Sequence, residues 1–181
     1  LPLAQARLAS SACTGTTASA DFAMSANAFD PSFNGQTDAF VAVLSAAGNT
    51  LDYASFFGGP DADQAVGIAS DETGTALLVC GGAGPGFPVT PGALRTTVVS
   101  SDAFVLRLDL LSGAPAFSTL LGGVSTEMAT AVAFDQGGHA CVVGWTNSAD
   151  FPTTPFCFDP TFNGGSSPGD AFVVKLAMDG H

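Results

Sequence analysis

The stretch "SDAFVLRLDL" at residues 100–109 has two relatives in the same chain, "TDAFVAVLSA" at 37–46 and "GDAFVVKLAM" at 169–178. Each opens on Asp-Ala-Phe-Val and continues with alternating apolar residues, the period-two pattern of a β-strand. Phe40, Ala42 and Leu44 share one face of such a strand, as do Phe104, Leu106 and Leu108, and Phe172, Val174 and Leu176. The opposite face carries Val43, Arg107 and Lys175 at one equivalent position and is expected to lie nearer solvent.

The similarity extends well beyond this strand. A shift of 64 residues aligns Asp38 with Asp102, Gly58-Gly59 with Gly122-Gly123, Asp71 with Asp135, Val79 with Val143, and "FPVTP" (87–91) with "FPTTP" (151–155), without a gap over some 70 residues. A shift of 129 places "TASADF" (17–22) on "TNSADF" (146–151) and "FDPSFNG" (29–35) on "FDPTFNG" (158–164). The chain therefore divides into repeat units at about 1–60, 61–124 and 125–181, of about 64 residues each, within one domain. From Phe22 to Asp38 there are 16 steps, from Phe87 to Asp102 there are 15, and from Phe151 to Asp170 there are 19. Length varies chiefly in this connection, which marks it as a surface loop.

Each unit reads as four short strands. "AVGIASD" (65–71) and "ATAVAFD" (129–135) are runs of small and β-branched residues ending in an Asp-led turn, suited to an innermost strand. "ALLVC" (76–80) and "ACVVGW" (140–145) are continuous apolar runs, as in a sheet buried on both faces. The Asp-Ala-Phe strand is third, and "DYASFFGG" (52–59) or "AFSTLLGG" (116–123) is fourth, closed by a diglycine. Four antiparallel strands per repeat, with one loop of variable length, predict an all-β chain and specifically a β-propeller of about three four-stranded blades. Residues 177–181 follow the third Asp-Ala-Phe strand without a fourth strand or diglycine, so an incomplete or open segment of a larger propeller is expected. An open β-solenoid is the runner-up, although its coils usually run to about 20–30 residues.

Composition agrees with short strands and tight turns: 46% of residues are hydrophobic, 11% charged, and there are 22 Gly and 11 Pro. Sixteen acidic residues against four basic ones leave a net charge of −12, which repels phosphate backbones and anionic lipid headgroups. Nucleic acid is thereby excluded as an expected partner, and no apolar run is long enough to insert into a membrane. Four cysteines, Cys13, Cys80, Cys141 and Cys157, lack the spacing of a zinc or redox motif and read as buried free thiols in preference to disulfides. "LASSAC" (8–13) lacks the basic and apolar stretches that precede a lipidated cysteine.

The segments "DAFVLRL", "STLLGG" and "AVAFDQGGHACVVGWTNSADFPTTP" together resemble the bacterial SBBP-type β-propeller repeat family. Residues 102–176 match well, 38–91 nearly as well and 13–35 in the loop, while "LPLAQ" at the start matches an inner strand weakly. Cys80 stands where the family has Gly, and "GGAGPG" replaces its T-x-S-x-D segment. The resemblance implies a propeller in a secreted or cell-surface protein, with no catalytic residues to carry over.

Individual residues point the same way. His139 and His181 are the only histidines, and neither suggests a triad, so no catalytic or cofactor-binding residue is expected and the chain reads as a non-enzyme. Asp61 and Asp63 in "GGPDADQA" are calcium candidates, because carboxylates on a loop with free carbonyls suit a hard cation. The equivalent loop "GGVSTEMA" offers only Glu127. Asp38, Asp102 and Asp170 are expected to bond backbone N–H groups of the preceding loop, Asp30 and Asp159 to close local turns, and Trp145 to pack in the core. The leading expectation is an extracellular structural or adhesive scaffold, completed by the rest of a propeller or by neighbouring copies in an oligomer or filament. The alternative is a ligand-binding propeller that takes a glycan or calcium.

Overall fold

The computed structural model describes residues 11–165 and 168–181. Residues 1–10, where the repeat predicts a first inner strand, lie outside the described part. Ten strands form three antiparallel sheets with no helix among the described residues. The first sheet is β1 (Ser11–Thr17), β2 (Asp38–Leu44) and β3 (Leu51–Phe57), in that order. The second is β4 (Gln64–Ser70), β5 (Ala76–Ala83), β6 (Asp102–Asp109) and β7 (Ala114–Leu121). The third is β8 (Glu127–Phe134), β9 (Ala140–Thr146) and β10 (Asp170–Leu176). Each strand pairs with its neighbour in sequence, so every sheet is an up-and-down meander.

The sheets stack face to face around two cores. Ala39, Val41, Val43, Tyr53 and Phe57 of the first sheet meet Leu77, Val79, Phe104, Leu106, Leu108 and Leu120 of the second. The other face of the second sheet, with Leu78, Cys80, Ala103, Val105, Phe117 and Leu121, meets Ala129, Ala140, Val142, Phe172 and Leu176 of the third. The middle sheet is thus buried on both faces, which is why β5 is a continuous apolar run without alternation. The face carrying Val43 and Arg107 turns toward the next sheet and not toward solvent: Val43 is buried, and Arg107 is half-covered with its guanidinium over the Phe134 ring. Only Lys175, in the third sheet, is exposed as that reading expected.

Strand pairing refines the repeat by one residue. The DAF phenylalanines Phe40, Phe104 and Phe172 sit opposite Gly15, Gly81 and Gly144. Gly144 therefore corresponds to Gly81, Val142 to Val79, and Val143 to Cys80, an offset of 63 in place of 64. The difference arises in the preceding hairpin. Asp71 N–H bonds Ala76 C=O in the second unit, whereas Asp135 N–H bonds His139 C=O in the third, a turn shorter by one residue. Within the chain, the counterpart of Gly144 is Gly81 and that of Cys80 is Val143. The glycine is needed at 144 because a Cβ there would run into the Met128 carbonyl oxygen as well as come within 2.5 Å of the Phe172 ring.

The innermost strands carry a matched irregularity. The register of β4 shifts between Ala65 and Gly67, and that of β8 between Ala129 and Ala131, leaving Val66 and Thr130 as bulges. A Cβ on Gly67 would lie 3.2 Å from Ala131 Cα, so the missing side chain lets β4 and β8 approach closely.

Candidate functional site

Diglycine 58–59 ends the first sheet, and a buried carboxylate lies on either side of it. Asp63 accepts from Gly59 N–H at 2.7 Å through Oδ2 and from Gly84 N–H at 2.8 Å through Oδ1. It thereby ties the end of one sheet to the loop after β5 of the next. Burial pushes its carboxyl up to about 6, although both amide donors favour the charged form. Glu127 makes the corresponding link one unit later, accepting from Gly123 N–H at 3.0 Å and from the Thr146 hydroxyl at 2.7 Å. Parallel bridges from Thr37 to Ala62 and from Ser101 to Thr126 accompany the two links.

Across the diglycine lie the strand-opening aspartates. Asp38 Oδ2 accepts from Asn34 N–H at 2.9 Å and Asp170 Oδ2 from Asn163 N–H at 2.6 Å, so both fasten the loop that leads into their strand, as the sequence predicts. Asp102 is served differently. Arg95 Nε stands 2.6 Å from Asp102 Oδ2 as an ion pair without hydrogen-bond alignment, and the guanidinium also donates to Gly122 and Gly123 C=O at 3.3 and 2.7 Å. Desolvation raises the Asp38 and Asp102 carboxyls, and Arg95 partly offsets the rise at Asp102. Glycine is required beside them: a Cβ on Gly58 would lie 2.6 Å from Asp38 Cγ, and one on Gly122 2.5 Å from Asp102 Cγ.

The calcium candidates occupy this arrangement. Asp63 is fully buried with both oxygens engaged by amides, while Asp61 is half-exposed and accepts weakly from Gln36 at 3.4 Å. Among the described residues no three His, Cys, Asp or Glu side chains gather around a common point.

The remaining polar residues close turns. Asp135 accepts from Gly137 and His139 N–H, pairs with Lys175 Nζ at 2.6 Å and faces His139 Nδ1 at 3.0 Å. The Lys175 bond foremost holds its carboxyl well below the usual range. His139 is thus the polar turn residue expected from the sequence. Asp30 and Asp159 close Asx turns onto Ser32 and Thr161. Trp145 is half-buried between Met128 and Ala171 and belongs to neither core, contrary to expectation. All four cysteines are free, but only Cys80 is buried; Cys13 is exposed and Cys141 and Cys157 are intermediate.

Concavities also open among the described residues. One of about 340 Å³ opens between the first two sheets, lined mainly by Ala12, Val43, Ile68, Leu77 and Leu110. Another, about 780 Å³, runs along β10 beneath the loop containing Phe151, Thr154, Phe158 and Phe162. The larger one is lined by Cys157, Asp159, Asp170, Lys175 and His181 as well as by aromatic rings. No protein-family model and no curated protein sequence matches the chain.

Proposed function

We propose that the chain is a segment of an SBBP-type β-propeller, and that it serves as a non-enzymatic extracellular or cell-surface scaffold assembled by stacking repeat units. The observation that carries this reading is a face presented three times. In the first sheet it comprises Ala39, Val41 and Val43, buried against the second sheet. In the second it comprises Cys80, Ala103 and Val105, buried against the third. Its equivalents in the third sheet are open: Val143 is 40% and Val173 80% exposed, where Cys80 and Val105 are fully buried. A surface built twice to receive a sheet is complementary to a further unit of the same kind.

At the opposite end, Phe40 and Leu44 occupy the face equivalent to Phe104 and Leu108, which the second sheet packs against the first, and both are half-exposed. Joining unlike faces in this way is heterologous association, which closes a ring or extends a filament according to the rotation per unit. The secreted or surface location is supported by the family resemblance and by the lysine-poor, acidic composition.

Sedimentation equilibrium over a range of concentrations tests the reading. The wild-type chain is expected to associate, and Val173→Asp, at an exposed position, to remain monomeric with an unchanged fold. A wild-type chain that stays monomeric throughout would overturn it.

A further inference from the structure

In the first two sheets the fourth strand lies in a slot between the DAF strand and the Phe-Pro loop. The loop grips that strand through its backbone. Ser25 N–H donates to Ala54 C=O at 3.2 Å, and Ala54 N–H donates back to the Ser25 hydroxyl at 2.9 Å. Thr90 repeats both bonds with Ser118, at 3.0 and 2.9 Å. Aromatic rings add cover, with Phe29 stacked on Phe57 at 5.7 Å and Phe33 edge-on to Phe56 at 6.0 Å.

The third unit has the same slot fully formed. Thr154 stands where Ser25 and Thr90 stand, and the loop makes the same turn, with Cys157 N–H bonding Thr154 C=O as Ala28 bonds Ser25 and Ala93 bonds Thr90. Phe151 stacks on Phe172 at 4.8 Å, so the loop is held against β10. Within the described residues, however, no strand pairs with the outer edge of β10. Phe158, the counterpart of Phe29, is fully exposed, and the 780 Å³ groove runs where β3 and β7 lie in their sheets. The turn at 177–181 is also shaped like those entering β3 and β7, with Gly180 at φ 90° beside Gly48 at 69° and Gly113 at 73°.

From this preformed slot we infer that the groove between β10 and the 151–163 loop binds an extended peptide strand, of the small-Ser/Thr-apolar-apolar-Gly-Gly type that the chain itself carries at 54–59 and 118–123. Binding is β-augmentation, with main-chain bonds supplying affinity and alternate side-chain pockets supplying selectivity. The register follows from β6 and β7, where Phe104 pairs with Leu120, Val105 with Thr119 and Leu106 with Ser118. Phe172, Val173 and Val174 take those partners in the captured strand. The inference concerns an edge, whereas the scaffold reading concerns a face, and each stands without the other.

A synthetic peptide of residues 114–124, "APAFSTLLGGV", is the probe, titrated into the full chain by calorimetry and by the fluorescence of Trp145, which pairs with Ala171 of β10. Saturable one-to-one binding with a rise in the melting temperature is expected. Placing Pro at Ser118 of the peptide removes the N–H that Thr154 receives and is expected to abolish binding. Thr154→Val in the protein is expected to weaken binding about three- to tenfold, the loss of one hydrogen bond, with the melting temperature of the free chain unchanged. Absence of saturation up to ~1 mM peptide, or equal binding of the Ser118→Pro peptide, would overturn the inference. Sedimentation of the free chain reports separately on the face, so failure of one idea is distinguishable from failure of the other.

Discussion

Phe87 stacks on Phe104 with ring centroids 4.4 Å apart, and the pair recurs as Phe22 with Phe40 at 4.5 Å and Phe151 with Phe172 at 4.8 Å. One ring comes from the start of the Phe-Pro loop and the other from the DAF strand, where it sits opposite a glycine. The long loop is therefore pinned to its sheet by an aromatic pair in every unit. Such pairs contribute about 0.5–1.5 kcal/mol beyond the area they bury.

Phe104 is fully buried, so Phe104→Ala is expected to lower the unfolding free energy by about 3–5 kcal/mol. Phe40→Ala, at a half-exposed position, is expected to cost less than half as much. Urea denaturation of the two variants checks the ranking, which equal losses would contradict.

Arg95 bridges Asp102 and both carbonyls of the diglycine that ends β7. Its side chain is 27% exposed, which moderates the interaction, but removal leaves a buried carboxylate with no cation beside it. Arg95→Ala is expected to destabilise by about 2–3 kcal/mol and Arg95→Lys by somewhat less, since a lysine lacks the planar fork. Thermal melts at neutral pH provide the measurement.

Stability should fall as pH rises from about 4 to 6. Burial lifts the folded Asp63 carboxyl from 3.8 to about 6, so the folded chain holds more protons than the unfolded one in that window. The associated stabilisation is fully present below the unfolded value and is lost as pH passes the folded one. Asp38 and Asp102, also raised by burial, act in the same direction. Asp135 and Asp159, held low by Lys175 and Thr161 respectively, act only below the ordinary carboxylate range. Asp63→Asn is expected to flatten the slope and, by setting an amide donor against two N–H groups, to weaken the fold by about 1–3 kcal/mol at neutral pH. Denaturation midpoints between pH 4 and 7 would expose an opposite slope.

Cysteine reactivity should divide sharply. Desolvation pushes the Cys80 thiol up to about 12, and it is fully buried, whereas Cys13 is exposed. Mild alkylation followed by peptide mapping is expected to label Cys13 first and Cys80 only as fast as the chain opens. Early labelling of Cys80 would contradict its placement in the core.

The order of strands, their antiparallel meander and the role of Asp38 and Asp170 were all legible along the chain, because they depend on local alternation, turn residues and recurrence. The one-residue offset at Gly81 and Gly144 was not. "ALLVCGG" and "ACVVGWT" are so uniformly apolar that two registers match about equally well, and cross-strand pairing decides between them. The shared role of Asp63 and Glu127 was hidden by their different side chains, and the amides they accept from come from residues brought close only by folding.

By itself the sequence determined which residues form strands and that each unit resembles the next, since period and propensity act within a few residues. Only the tertiary structure decided which face of each strand is covered, because burial depends on the presence of a neighbouring sheet. Val105 and Val173 occupy the same place in the same motif, yet one is fully buried and the other 80% exposed. The groove beside β10 follows from the same cause: strand, loop and turn form locally, but filling the slot requires a further strand.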